Sequence, residues 1–150
     1  MNEGSDIKAN AGIDLIELIT AFEAEVSGLR WFLDRVTGNV YLVTHEYDPR
    51  ENGGLTVDDL ETNKSRFALV PSPTPEIALD DMISFARQIA DLRLRETLEI
   101  ALSAARPERR FRAVLGWLPE RQQDWLSFRK ARCEARAHTW LEQLGVDYAP

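Results

Sequence analysis

Apolar residues recur every three or four positions in five stretches of this chain and alternate with polar ones in three others. The first helical stretch, IDLIELITAFEAEV, spaces Leu15, Ile16, Ile19, Phe22 and Val26 along one side. Asp14, Glu17, Glu23 and Glu25 fall mostly on the other. This pattern predicts an amphipathic helix ending near Gly28. Aromatic and β-branched residues in LRWFLDRVTGNVYLVTHEY predict strands near 29–34 and 39–44. Gly38 supplies the positive φ that a tight hairpin turn requires. RFALV predicts a short third strand. Residues 45–65 contain few apolar residues but Pro49, Gly53 and Gly54, so an acidic loop with the composition of a mobile segment is expected there.

The C-terminal half changes period. Thr74 and Pro75 form a helix start, a hydroxyl cap followed by a proline whose missing N–H costs nothing at the first position. The helix they open carries Ala78, Met82, Phe85, Ala86 and Ile89 on one face. A second, from about Asp91, aligns Leu94, Leu98, Ala101 and Leu102. Pro107 and Pro119 each fit the first turn of a further helix. The former aligns Phe111, Val114, Leu115 and Leu118; the latter runs to about Leu144, where Gly145 is placed as a left-handed cap. The expected fold class is α+β: an N-terminal helix, a small three-stranded antiparallel sheet, then a mainly helical C-terminal half of about four helices. A chain of 150 residues fits one domain, 1–150, with residues 1–12 a frayed terminus.

Several short pieces, in order, resemble an uncharacterised bacterial protein family, number 0158 of the UPF series. They are AFE closing the first helix, FLDRVTGNV at the hairpin, ALVPS leading into MISFARQI, then RRFR, WLSFR and WLEQLGV. The resemblance runs from about Leu15 to Val146. The family pattern has a Gly-Arg/Lys-Gly-Ala-Phe run where this chain reads Ala104, Ala105, Arg106, Pro107 and Glu108. The resemblance implies the mixed fold and a bacterial or phage setting, and it implies no activity.

Charge then sharpens the picture. The net charge of −7 argues against general affinity for nucleic acid or anionic membranes, but it is unevenly spread. Through Glu76 there are 6 Lys/Arg against 14 Asp/Glu; beyond it, 12 against 11. No apolar run is long enough to span a bilayer, and the polar, early-acidic N-terminus is unlike a signal or transit peptide. With a single Cys133, no internal disulfide can form, which fits a reducing compartment. A cytoplasmic location is expected.

The helix from Pro119 gathers the most suggestive chemistry. Leu126, Cys133, Ala137, Trp140, Leu141 and Leu144 form its apolar strip. Arg121, Trp125, Arg129, Arg132 and Arg136 lie to one side, with Phe128 at the far edge. Arg129, Arg132 and Arg136 have no acid three or four residues away, and they face one another. Either acids of the N-terminal half pair with them while Trp125 and Phe128 pack inward, or the strip is a binding face. As a binding face it offers Arg forks for phosphate or carboxylate and Trp125 as a stacking plane, and Arg110 joins it if the two last helices pack side by side. Trp and Arg are equally the common anchors of protein interfaces.

Elsewhere the chemistry is thin. His45, Glu46 and Asp48 have only the distant His138 as a further imidazole, so neither zinc ligation nor acid–base work is assigned. Asp58, Asp59 and Glu61 lack calcium-loop spacing, and no metal or cofactor is expected. Cys133 on the apolar strip reads as a small hydrophobe. Ser84, Ser103 and Ser127 sit in helices without a nucleophile elbow. The reading that follows is a small non-enzymatic cytoplasmic protein that binds a protein partner as a regulatory or accessory factor. The alternative is a binder of nucleic acid or another anion through the Arg face. An enzyme with an unrecognised site comes last.

Overall fold

Asp14 opens the first helix: its carboxylate accepts the Glu17 N–H at 3.1 Å, satisfying one of the donors a helix start leaves over. In the computed structural model, which describes residues 12–24, 26 and 28–146, helix α1 (Leu15–Glu23) ends at an extended Ala24. It therefore stops short of Gly28. With only nine residues, its buried stripe is Leu18, Ile19, Ala21 and Phe22, leaving Ile16 82% exposed and Val26 outside the helix. Residues 1–11 of the expected frayed terminus lie outside the described residues.

Strands β1 (Arg30–Asp34), β2 (Val40–Val43) and β3 (Phe67–Leu69) form an antiparallel sheet in the order β2-β1-β3. Hairpin register pairs Trp31 with Leu42 and Leu33 with Val40. Being central, β1 buries consecutive residues Trp31 to Asp34 instead of alternating. Phe32, Val43 and Phe67 pack with Leu60 on one side.

Asp34 ties this sheet together. Its fully buried carboxylate takes two bonds from the Arg66 guanidinium, at 3.0 and 2.9 Å, and accepts the Val36 and Thr37 N–H groups at 2.9 and 3.3 Å. Burial opposes ionisation, but Arg66 and the turn's donors outweigh it and hold this carboxyl below its usual range. The same turn needs Gly38 at φ 82°, and a Cβ there would overlap the Gly12 carbonyl. Gly38→Ala is expected to cost about 2–3 kcal/mol, backbone strain plus displacement of the preceding chain. Urea unfolding checks this, and a loss of only a few tenths would show that the turn relaxes freely.

Residues 45–65 are more ordered than the expected loop. A 3-10 turn (Pro49–Glu51) is followed by helix α2 (Val57–Thr62), which starts with a reciprocal Thr56/Asp59 capping box. Leu60 is buried in the sheet's core, and Leu55, Val57 and Tyr47 pack against that core. The Tyr47 hydroxyl donates to the Leu55 carbonyl at 2.8 Å. Few apolar residues suffice here because they converge on one spot.

Four helices complete the chain: α3 (Pro75–Arg87), α4 (Leu92–Ser103), α5 (Pro107–Gly116) and α6 (Pro119–Leu144). Thr74 caps α3 by accepting the Ile77 N–H, and Asp91 caps α4 by accepting those of Arg93 and Leu94. Beyond α6, Gly145 has φ 73°. Its N–H donates to Glu142 O and that of Val146 to Leu141 O, both at 3.0 Å, a Schellman closure. The fold is α+β, as the pattern predicts, with α2 and the 3-10 turn added between β2 and β3.

Backbone contacts divide the described chain into two compact units, one reaching to Ser72 and resuming at Glu134, the other Pro73–Cys133. The first holds the sheet, with Phe22 and Trp140 meeting edge to face at 5.8 Å. The second packs Met82, Phe85, Ala86, Ile89, Leu98, Phe111, Leu115 and Trp125 into one core.

Candidate functional site

Two members of the expected arginine strip of α6, Arg121 and Arg132, already hold carboxylates. Arg132 is clamped by two carboxylates of α3, its Nε donating to Asp81 at 2.9 Å and its Nη2 to Asp80 at 3.0 Å. The acids that match it thus come from the neighbouring helix, not from the N-terminal half. Arg121 pairs with Asp124 of its own helix at 3.4 Å. Arg110 donates from its Nε to the Ala105 carbonyl at 2.9 Å. Arg136 belongs to the first unit, and neither it nor Arg129 lacks an interaction.

Trp125 is no stacking plane for a ligand. It is only 6% exposed, with ring centroids of Phe111 at 5.0 Å, Phe85 at 5.5 Å and Phe128 at 6.3 Å. The buried line of α6 accordingly begins at Trp125, and Leu126, expected in the apolar strip, is 45% exposed. The one-residue offset follows from the phenylalanines of α3 and α5, whose rings an indole can contact edge-on and a leucine cannot.

Between α5 and α6 lies a cleft of about 260 Å³. Arg112 and Leu115 of α5 form one wall, Gln122, Leu126 and Arg129 of α6 the other, and Trp125 lies at its base. Two guanidiniums line it and no carboxylate does, although Arg112 also reaches Glu108 one turn back at 3.9 Å. Just past α5, Trp117 is 84% exposed. Arg112, Gln122, Leu126 and Trp117 were outside the expected site. For Trp117 a signal existed: the Phe111/Leu115/Leu118 stripe that builds the core leaves position 117 off its face. For the pairing of Arg112 with Arg129 none did, since it depends on how two helices pack.

The model of the uncharacterised protein family UPF0158 matches residues 11–149. The chain belongs to this family. A UPF0158 protein of Pseudomonas aeruginosa is 31% identical over 137 residues, 91% of this chain and 86% of that protein. No solved structure matches. Arg106 caps α5 in a left-handed conformation, φ 54° and ψ 59°, with no side-chain cap bond. An L-residue is strained there by about 1–2 kcal/mol. Arg106→Gly is expected to raise stability by about 0.5–1 kcal/mol, part of the relief being offset by a more flexible unfolded chain. An unchanged or lower urea midpoint would show that the backbone at Arg106 carries no strain.

The remaining expectations concern isolated groups. His45 is exposed and His138 half-buried. Among the described residues no group of three or more His, Cys, Asp or Glu is placed to hold a metal ion, and no helix is long and apolar enough to cross a membrane. Cys133 is buried.

Proposed function

We propose that the chain is a protein-binding accessory factor of the bacterial cytoplasm, and that the α5–α6 cleft receives the partner. The observation that carries this reading is the cleft itself: two guanidiniums over an apolar base, with the exposed Trp117 two residues beyond Leu115. Buried charge-assisted bonds around a central apolar contact are what anchor protein interfaces. The partner chemistry that fits is a segment with carboxylates flanking an aliphatic or aromatic side chain. A cytoplasmic setting accords with one buried cysteine and no disulfide. Nucleic-acid binding is less well supported, because Arg132 is occupied by two carboxylates and Trp125 is buried.

Capture from bacterial extract by wild type and by Arg112→Glu/Arg129→Glu tests the reading. Proteins recovered by wild type are expected to be lost with the variant while its circular dichroism is unchanged. Equal recovery by both would remove the cleft from the proposal. Retention of DNA or RNA instead, with a log–log salt slope of about −3 to −4, would favour the phosphate reading.

A further inference from the structure

At the start of α5 the second unit holds a larger cavity, about 450 Å³, between that helix and the first turns of α3. Its walls are mostly hydrocarbon, with the rings of Pro75 and Pro107 and the side chain of Leu79 among them. Each proline stands in the first turn of its helix, its φ fixed by the ring. Further along, Phe85 and Phe111 pin α3 to α5, their rings 6.2 Å apart. The cavity is therefore formed before anything enters it. Its size lies within the range of small-molecule sites.

Its charges are few and unequal. Arg106 and Arg109 line it, and neither guanidinium meets an acceptor among the described residues. Of its two carboxylates, that of Glu108 reaches Arg112 at 3.9 Å, which leaves Glu76 as the single acid beside two cations. Among the described residues, Arg106 is also the one non-glycine position with a positive φ, at 54°. A glycine would take that backbone at less cost. The strain is thus borne by a residue whose side chain lines the cavity.

We propose that this cavity binds a small monoanionic amphiphile, a carboxylic acid with one aromatic or branched aliphatic body. The body lies against Pro75, Leu79 and Pro107, while the carboxylate takes charge-assisted bonds from Arg106 and Arg109. Glu76 repels a second negative charge and so selects against dianions. The site shares no lining residue with the α5–α6 cleft, and the inference goes beyond the protein-binding reading without depending on it.

Amide NMR spectra of the full chain, titrated with 3-phenylpropionate and with 4-methylpentanoate, test this. Both acids are expected to shift the signals of residues 76–79 and 108–109. The alcohol 3-phenylpropanol, with the same ring and no charge, is expected to bind about tenfold more weakly. Phenylsuccinate, a dianion, is also expected to bind more weakly than 3-phenylpropionate. Arg109→Gln is expected to cost about tenfold in affinity for the acids, and Glu76→Gln to gain about two- to threefold. Arg106→Gly separates binding from folding, because it is expected to be the more stable protein and, by about tenfold, the poorer binder.

An absence of shifts with both acids overturns the proposal. So does binding that the alcohol matches, that either arginine change leaves intact, or that maps to Gln122 and Leu126 of the cleft instead.

Discussion

Replacing Arg66 with alanine is expected to cost about 3 kcal/mol at neutral pH, because it leaves a buried carboxylate without its counter-charge. Asp34 is fully buried and takes both guanidinium bonds from that one residue. Only the Val36 and Thr37 donors of the hairpin would remain. The effect should also depend on pH. In the wild type the Asp34 carboxyl is held below its usual value. Its stabilisation is therefore complete above the unfolded value of about 3.9 and fades as pH falls through the lower folded value. In Arg66→Ala, burial instead favours the neutral acid, so the penalty should shrink on acidification. Urea titrations of both proteins at neutral and acid pH check this. A penalty under about 1 kcal/mol, or one indifferent to pH, would mean that the pair contributes little to holding the sheet together.

Phe111→Ala is expected to cost about 4 kcal/mol, the upper range for removing a buried aromatic ring. Phe111 is fully buried, with its ring 5.0 Å from Trp125 and 6.2 Å from Phe85. Its loss opens a void on which α3, α5 and the first part of α6 converge, and it removes edge-to-face contacts that a collapsed core cannot rebuild. Chemical unfolding followed by tryptophan fluorescence measures this directly. Phe111→Leu, which keeps most of the volume, should lose roughly a third as much. Equal losses for alanine and leucine would place the energy in ring geometry instead of volume.

Much of the fold was legible in the sequence because its punctuation is local. Thr74–Pro75, Asp91, Pro107, Pro119 and Gly145 each act within a few residues of themselves, and helices begin or end where they stand. The acidic stretch was harder. Thr56 and Asp59 carry a capping signal, but α2 is only six residues long, and Leu60 matters through its contact with Phe32 and Phe67, far away in sequence. The strip of arginines illustrates a different limit. Helical spacing sets Arg129, Arg132 and Arg136 three and four residues apart, yet which acid neutralises each is a question of neighbours. Asp80 and Asp81 answer it for Arg132 from α3, 52 and 51 residues away. The rotation that buries Trp125 and exposes Leu126 has the same origin, since a single helix pattern cannot say which of two adjacent apolar residues meets the phenylalanines.

The most direct measurement is photocrosslinking in living bacteria with p-benzoylphenylalanine replacing Gln122 in the wall of the cleft. Protein adducts are expected from this position, absent when Arg112→Glu and Arg129→Glu are combined with it, and absent from a probe placed at the exposed Lys130. Adducts that ignore the arginine changes, or none above the Lys130 background, would contradict a protein-binding role for the cleft.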